Sequence, residues 1–342
     1  MSGSIITNEI SQIPAIFSKL NESDAIFNQA VAQIRDRKIN NVILVARGTS
    51  GHAALFLKAL IETELGLPVG IASPSAVSIN GAKLNYENTL VVGLSQSGQS
   101  PDLLSYLEAA KVGGALLIAM TNDANSPMAK LADIHIDLLA EKERALAATK
   151  SYSAQLFASL KLIRIWQEKP ADFGDASDRL TELLTDNEIS DSLITKIANF
   201  KNLVFIGRGY GFANAREGSL KIQETCYRFV QGFSAADYVH GPMAAVDKDS
   251  CVFVVAPTGS QEKGLEKAVT STRERGAQII WIGSGGFSES NEIVIAGAIS
   301  DDQALNCVID ASLLQILAVK LALKLGNNPD TSRGLEKVTL TF

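Results

Sequence analysis

Two short stretches carry residue types suited to holding a phosphate. Arg47-Gly48-Thr49-Ser50-Gly51 and Ser95-Gln96-Ser97-Gly98-Gln99-Ser100-Pro101 each follow an apolar run and open a helical pattern. Small hydroxyls, a backbone-permissive glycine and a helix N-terminus together offer hydroxyl and N–H donors without bulk, which is what a phosphate dianion needs. Either stretch alone also reads as an ordinary serine-rich helix cap. Two of them within one folding unit favour phosphate. Other glycine signatures fail on spacing. The chain has no G-x-x-x-x-G-K-[ST] run. Gly207-Arg208-Gly209-Tyr210-Gly211 lacks the full dinucleotide fingerprint, and Gly93-Leu94-Ser95-Gln96-Ser97 ends in serine where a nucleophile elbow needs glycine.

These loops need a scaffold, and an internal repeat supplies it. Asn41 to Gly48 matches Asn202 to Gly209 at an offset of 161 residues. Leu90 to Leu94 matches Val252 to Ala256, and Ala115 to Thr121 matches Ala277 to Gly283, both at 162. Each run is rich in Val, Ile and Leu without polar alternation, as expected of strands buried on both faces of a parallel sheet. Helical patterns lie between them, at Pro101 to Lys111 and Glu262 to Arg275, so the sheets are expected to be parallel with right-handed crossovers. The expected fold is α/β: two tandem, doubly wound, Rossmann-like subdomains. The expected organisation is an N-terminal helical segment (1–34), a first subdomain (35–185), a second (193–326) and a tail (327–342) contributing to the active site. Helices are expected at Ala154 to Gln167 and Asn306 to Leu325, with a helical linker over Pro170 to Ser192. Ligands of such sheets bind beyond the carboxyl ends of the strands, where both serine-rich loops fall.

Composition narrows the class. The chain has 342 residues, 46% hydrophobic and 20% charged, with 37 acidic against 31 basic side chains for a net charge of −6. With no basic block, nucleic-acid binding is not expected. Cys226, Cys251 and Cys307 are too scattered for a metal motif or a disulfide framework and suit buried thiols in a reducing compartment. The most apolar late stretch, Leu313 to Leu325, is interrupted by Lys320 and Lys324 and falls short of a membrane span. Residues 1–13 show no signal-peptide pattern. The expectation is a cytoplasmic protein without membrane association, metal or organic cofactor.

Gly48-Thr49-Ser50, Ser95-Gln96-Ser97-Gly98, Ala148-Thr149-Lys150, Glu217-Gly218-Ser219-Leu220-Lys221-Ile222-Gln223-Glu224 and His240-Gly241-Pro242 resemble the sugar isomerase (SIS) family. More closely, they resemble the isomerase half of glucosamine-6-phosphate synthase, from about residue 35 to the C-terminus. That resemblance implies a phosphosugar substrate held by Thr49, Ser50, Ser95, Gln96, Ser97 and Ser100. Leu146 falls where the family contacts substrate through its backbone. Glu224 takes the position of the family's catalytic glutamate, able to move a proton between C2 and C1 of an open-chain sugar. Lys221, one helical turn earlier, shares its face and would steady charge near C1. Taken alone, the pair also fits an exposed helix carboxylate with a surface lysine. His240, whose imidazole can take and give a proton, would open the ring. In the family this histidine comes from a neighbouring subunit, which implies a homodimer. Arg333-Gly334-Leu335-Glu336-Lys337 resembles the synthase ending, where the lysine forms a Schiff base with the sugar; taken alone, Lys337 also reads as a charge-balancing or solvated tail lysine. His52 and His135 have no comparable context and read as structural.

The synthase draws ammonia from glutamine with an N-terminal cysteine. Here about 35 residues precede the first unit and none is cysteine, so the expectation runs the other way: glucosamine-6-phosphate deamination to fructose 6-phosphate and ammonia. Alternatives within the class are galactosamine-6-phosphate deaminase, fructosamine-6-phosphate deglycase and a plain aldose–ketose isomerase. From another class, a sugar-phosphate-sensing regulator would need a DNA-binding module, for which little room is visible.

Overall fold

The computed structural model describes residues 2–260 and 262–337. The chain divides into two compact units. The first, built from 15–143, 150–174 and 335–337, holds a five-stranded sheet. Its strands are β1 (Asn41–Val45), β2 (Val69–Ile71), β3 (Thr89–Ser95), β4 (Leu116–Thr121) and β5 (Ile134–Asp137), all parallel, in the order β2-β1-β3-β4-β5. The second unit, built from the described residues of 2–14, 144–149 and 175–334, holds β6 (Asn202–Gly207), β7 (Val230–Ser234), β8 (Ser250–Ala256), β9 (Gln278–Gly283) and β10 (Ile293–Ala296). Its order, β10-β9-β8-β6-β7, is the same topology read from the other edge. The expected tandem pair of doubly wound parallel sheets is what the chain forms.

Burial explains why the central strands lack polar alternation. Every residue of β3, β4 and β8 is buried. In β6, Phe205 joins one core cluster with Phe253, Ile280 and Leu313, while its neighbour Ile206 joins another with Val254, Trp281 and Val269. Successive residues thus serve opposite faces, and both faces are covered by helices. In the first unit, Val45, Val91 and Leu117 pack under Leu103, Tyr106 and Leu107 of the helix Pro101–Val112.

Helices match expectation with shifted ends. The helix expected from Ala154 begins at Lys150 and runs to Trp166. The pattern expected over Glu262 to Arg275 breaks into a 3-10 turn, Glu262–Gly264, and a helix, Glu266–Glu274. The helix Ala176–Thr185 lies in the second unit, packed on the helix Gln303–Lys324. That last helix corrects one expectation: at 22 residues it is long and apolar enough to cross a bilayer. However, 89% of its most apolar window is buried, and it packs on helices Tyr210–Cys226 and Asp191–Ala198 as the core helix of its unit.

Candidate active site

In the first unit, the order 2-1-3-4-5 reverses direction between β1 and β3, the point at which such sheets hold ligands. The loops leaving these two strands are the two serine-rich stretches. The first enters the helix Gly48–Leu60 through Arg47, in an extended conformation. The second enters the helix Pro101–Val112 through Ser100, also extended, with Pro101 at the first helical position. Neither Arg47 nor Ser100 places its side chain on its helix as a cap. A serine-rich helix cap, the plain reading of the second stretch, would have used the Ser100 hydroxyl in that way. The first-turn N–H groups of both helices, and the positive ends of their dipoles, are therefore not consumed by these capping side chains.

The hydroxyls differ in what already holds them. Ser50 is buried, and its Oγ accepts a hydrogen bond from Gln155 Nε2 at 2.9 Å. Ser95 Oγ accepts from the Gly98 N–H at 3.0 Å, closing the loop, and Ser97 Oγ accepts from the Gln99 N–H at 3.4 Å. The Gln96 carbonyl accepts from the Asn122 N–H at 3.2 Å, fixing the loop to the end of β4. Thr49 is half-buried in the first helical turn. Gly98 has φ +63°, and a Cβ there would lie 2.4 Å from Ser126 Oγ, so only glycine fits. An ion pair joins the two loops: Arg47 Nε and Nη2 lie 3.0 and 2.9 Å from Asp102 Oδ2.

Lys337 belongs to the same unit, with its ammonium 3.5 Å from Glu143 Oε2. The Glu143 side chain is fully buried and also takes the Ser151 hydroxyl at 2.6 Å and the Ser151 N–H at 3.3 Å.

In the second unit, the helix Tyr210–Cys226 follows β6 and carries an ionic cluster. Lys221 Nζ lies 2.5 Å from Glu224 Oε2 and 3.2 Å from Glu217 Oε1. The side chains of Lys221 and Glu217 are 1% exposed, that of Glu224 17%. The reading of this pair as a surface carboxylate with a surface lysine is thereby excluded. Burial would lower the Lys221 pKa, but the two carboxylates outweigh it and raise the pKa above the ordinary lysine value. Lys221 is a fixed cation, and Glu224 is the partly exposed carboxylate beside it. The helix lies close on the sheet because Gly218 meets Phe205 and Leu314, where a Cβ would sit 2.9 Å from each. Tyr227, at φ +55°, ends the helix, and the tail packs there. Ser332 Oγ donates to the Glu224 carbonyl at 2.7 Å, Tyr227 donates to the Thr331 carbonyl at 3.3 Å, and the Arg333 guanidinium lies 4.3 Å from the Tyr227 ring centre.

His240 is exposed, at the end of the short helix Ala235–Val239. Leu146 is half-buried in the second unit, its N–H donating to the Asp330 carbonyl at 3.3 Å. The sequence candidates thus fall in two sets: Thr49, Ser50, Ser95, Gln96, Ser97, Ser100 and Lys337 in the first unit, and Leu146, Lys221, Glu224 and His240 in the second. Sequence reasoning missed the roles of Glu217, Glu143 and the Arg47–Asp102 pair. Glu217 stands four residues before Lys221, a spacing that could have flagged it. Glu143 sits in an irregular loop with no periodic signal. Among the described residues, no group of three or more His, Cys, Asp or Glu is arranged to hold a metal ion.

The sequence matches the SIS domain family over residues 34–163 and 196–324, one match for each sheet. It is 29% identical over 314 residues to glutamine–fructose-6-phosphate aminotransferase [isomerizing] of Thermotoga maritima, covering 88% of this chain and 52% of that protein. The chain thus spans about half the length of this relative. Among solved structures, glucosamine-6-phosphate deaminase of Thermotoga maritima superposes with a TM-score of 0.79 at 23% identity, covering 99% of this chain and 100% of that one. Tagatose-6-phosphate ketose/aldose isomerase of Escherichia coli gives 0.80 at 21% identity, covering 99% and 98%. At these identities the two superpositions speak to fold. With both halves of the chain matched and both sheets sharing one topology, the protein belongs to the SIS domain family, two copies of the domain in tandem.

Proposed function

We propose that this protein is an enzyme that deaminates an amino sugar phosphate, converting glucosamine 6-phosphate and water to fructose 6-phosphate and ammonia. The observation that carries the reading is the buried Lys221 cation holding the partly exposed Glu224 carboxylate on one helix face. Such a pair suits a proton transfer through an enol-like state, because the carboxylate can take and return the proton while the fixed cation offsets the charge that develops.

The steps balance as follows. His240, reaching a neighbouring subunit of a homodimer, moves the hydroxyl proton that opens the pyranose to its aldehyde. Glu224 removes the C2 proton, giving an enolamine, and returns a proton to C1. The resulting C2 iminium takes up water and expels ammonia, leaving the ketone. The hydroxyls and N–H groups of Thr49, Ser50, Ser95, Gln96, Ser97 and Ser100 hold the phosphate, and Leu146 contacts the sugar through its backbone. Lys337 serves as imine-forming amine or as charge balance.

Cys226, Cys251 and Cys307 are all buried. Burial pushes the Cys226 thiol up to about 11 and raises Cys251 and Cys307 as well, so none of the three is given a role in the proposed reaction. A cytoplasmic location belongs to the same proposal.

The test is ammonia release by purified protein from glucosamine 6-phosphate, with galactosamine 6-phosphate alongside and fructose 6-phosphate measured as product. Stoichiometric ammonia and fructose 6-phosphate from the first substrate are expected. Silence on both from folded protein would refute deamination.

A further inference from the structure

A phosphate cradle made of helix N-termini and hydroxyls should be free of nearby anions, yet a carboxylate is built into this one. Asp102 is the second residue of the helix Pro101–Val112, two positions past Ser100, and its side chain is only 2% exposed. A negative charge there competes with a bound dianion for the same helix end and repels it. Its counter-charge comes from the other loop. Arg47, the residue before the helix Gly48–Leu60, puts two N–H donors on Asp102 Oδ2, at 3.0 and 2.9 Å, while half of its side chain stays exposed. The pair crosses the switch point between β1 and β3 and is an ionic link between the two serine-rich loops.

We propose that Arg47 is a positioning residue for phosphate recognition. It neutralises Asp102 and ties the two loops together, so that the cradle accepts a dianion rather than a neutral sugar. This rests on the phosphate-loop reading given above. The repeat sharpens the point. Arg208 stands at the matching position of the second unit, where its Nη1 donates to Ser234 Oγ at 3.3 Å and, among the described residues, no carboxylate pairs with it. The charge pair is thus a feature of the first unit's loops rather than of the repeat as a whole.

The experiment measures binding of fructose 6-phosphate and of inorganic phosphate by calorimetry, in wild type, Ser97→Ala, Arg47→Ala, Asp102→Asn and the Arg47→Ala/Asp102→Asn double variant. Arg47→Ala is expected to weaken both ligands about tenfold, because the buried carboxylate loses this cation. Asp102→Asn, which removes the like charge and leaves the cation, is expected to tighten both about threefold. The double variant is expected to regain most of what Arg47→Ala loses. A purely structural staple predicts instead that Asp102→Asn weakens binding as Arg47→Ala does. Affinity in Asp102→Asn at or below that of wild type would overturn the proposal. This comparison stands even if Arg47→Ala fails to fold. If Ser97→Ala weakens binding while the Arg47 and Asp102 series follows no such order, the charge proposal falls and the loop reading survives. If wild type binds neither ligand, both fall.

Discussion

Asp310 offers a test in which the sign and the size both follow from the structure. It lies on the core helix Gln303–Lys324, fully buried, with Oδ1 accepting the Ala298 N–H at 2.7 Å and Oδ2 without a hydrogen-bond partner among the described residues. Burial raises its pKa from 3.8 to about 7, offset in part by the Ala298 hydrogen bond. An acid whose folded pKa is raised binds more protons folded than unfolded between those two values. Stability therefore falls as pH rises through that window, and levels off above about 7. At about 1.4 kcal/mol per pH unit, the full penalty is about 4 kcal/mol above pH 7 and vanishes below pH 4. Asp310→Asn keeps an oxygen for Ala298 and removes the titration. The difference in unfolding free energy between variant and wild type, from urea titrations at pH 5 and pH 8, is expected to grow by about 2.5 kcal/mol in favour of the variant. Other groups titrate alike in both proteins and cancel, as does any fixed offset from the amide. A difference that is constant with pH, or that shrinks as pH rises, would refute the reasoning.

Three further outcomes are expected. Glu224→Gln should keep fructose 6-phosphate binding while lowering kcat by about a thousandfold, the scale of a lost general base; retained turnover in the ammonia assay would remove Glu224 as proton carrier. Ser97→Ala should raise KM about tenfold with kcat little changed, since it deletes one hydrogen bond to a charged group distant from the reacting carbons; steady-state kinetics decide, and an unchanged KM would point to another loop. Lys221→Met should destabilise the fold by about 3–5 kcal/mol in urea, because Glu217 is left buried without its cation, and Glu217→Gln in that background should recover part of the loss.

The central strands of both sheets were legible because each must be apolar on two faces, a demand that local sequence expresses directly. The strands that escaped notice are the short ones at the sheet edges, Val69–Ile71, Ile134–Asp137, Val230–Ser234 and Ile293–Ala296. Each mixes buried with partly or fully exposed positions, and at Val69–Ile71 two of three residues are exposed. Over so few residues that pattern carries no distinct period. Loop chemistry was legible for the same reason as the core strands: serine and glycine at a strand's end and a helix's start are a local signal, read without knowing what lies across from them. The sequence also determined that Lys221 and Glu224 share a helix face, since three residues make nearly one turn. Only tertiary structure decided that this face turns inward, so that a pair that could have been a solvated surface bridge is a buried cation with two carboxylates. It alone brought Arg47 to Asp102 across 55 residues and Lys337 to Glu143 across 194. Pairings of that kind depend on which strands lie side by side and where the chain returns, and no local periodicity records that.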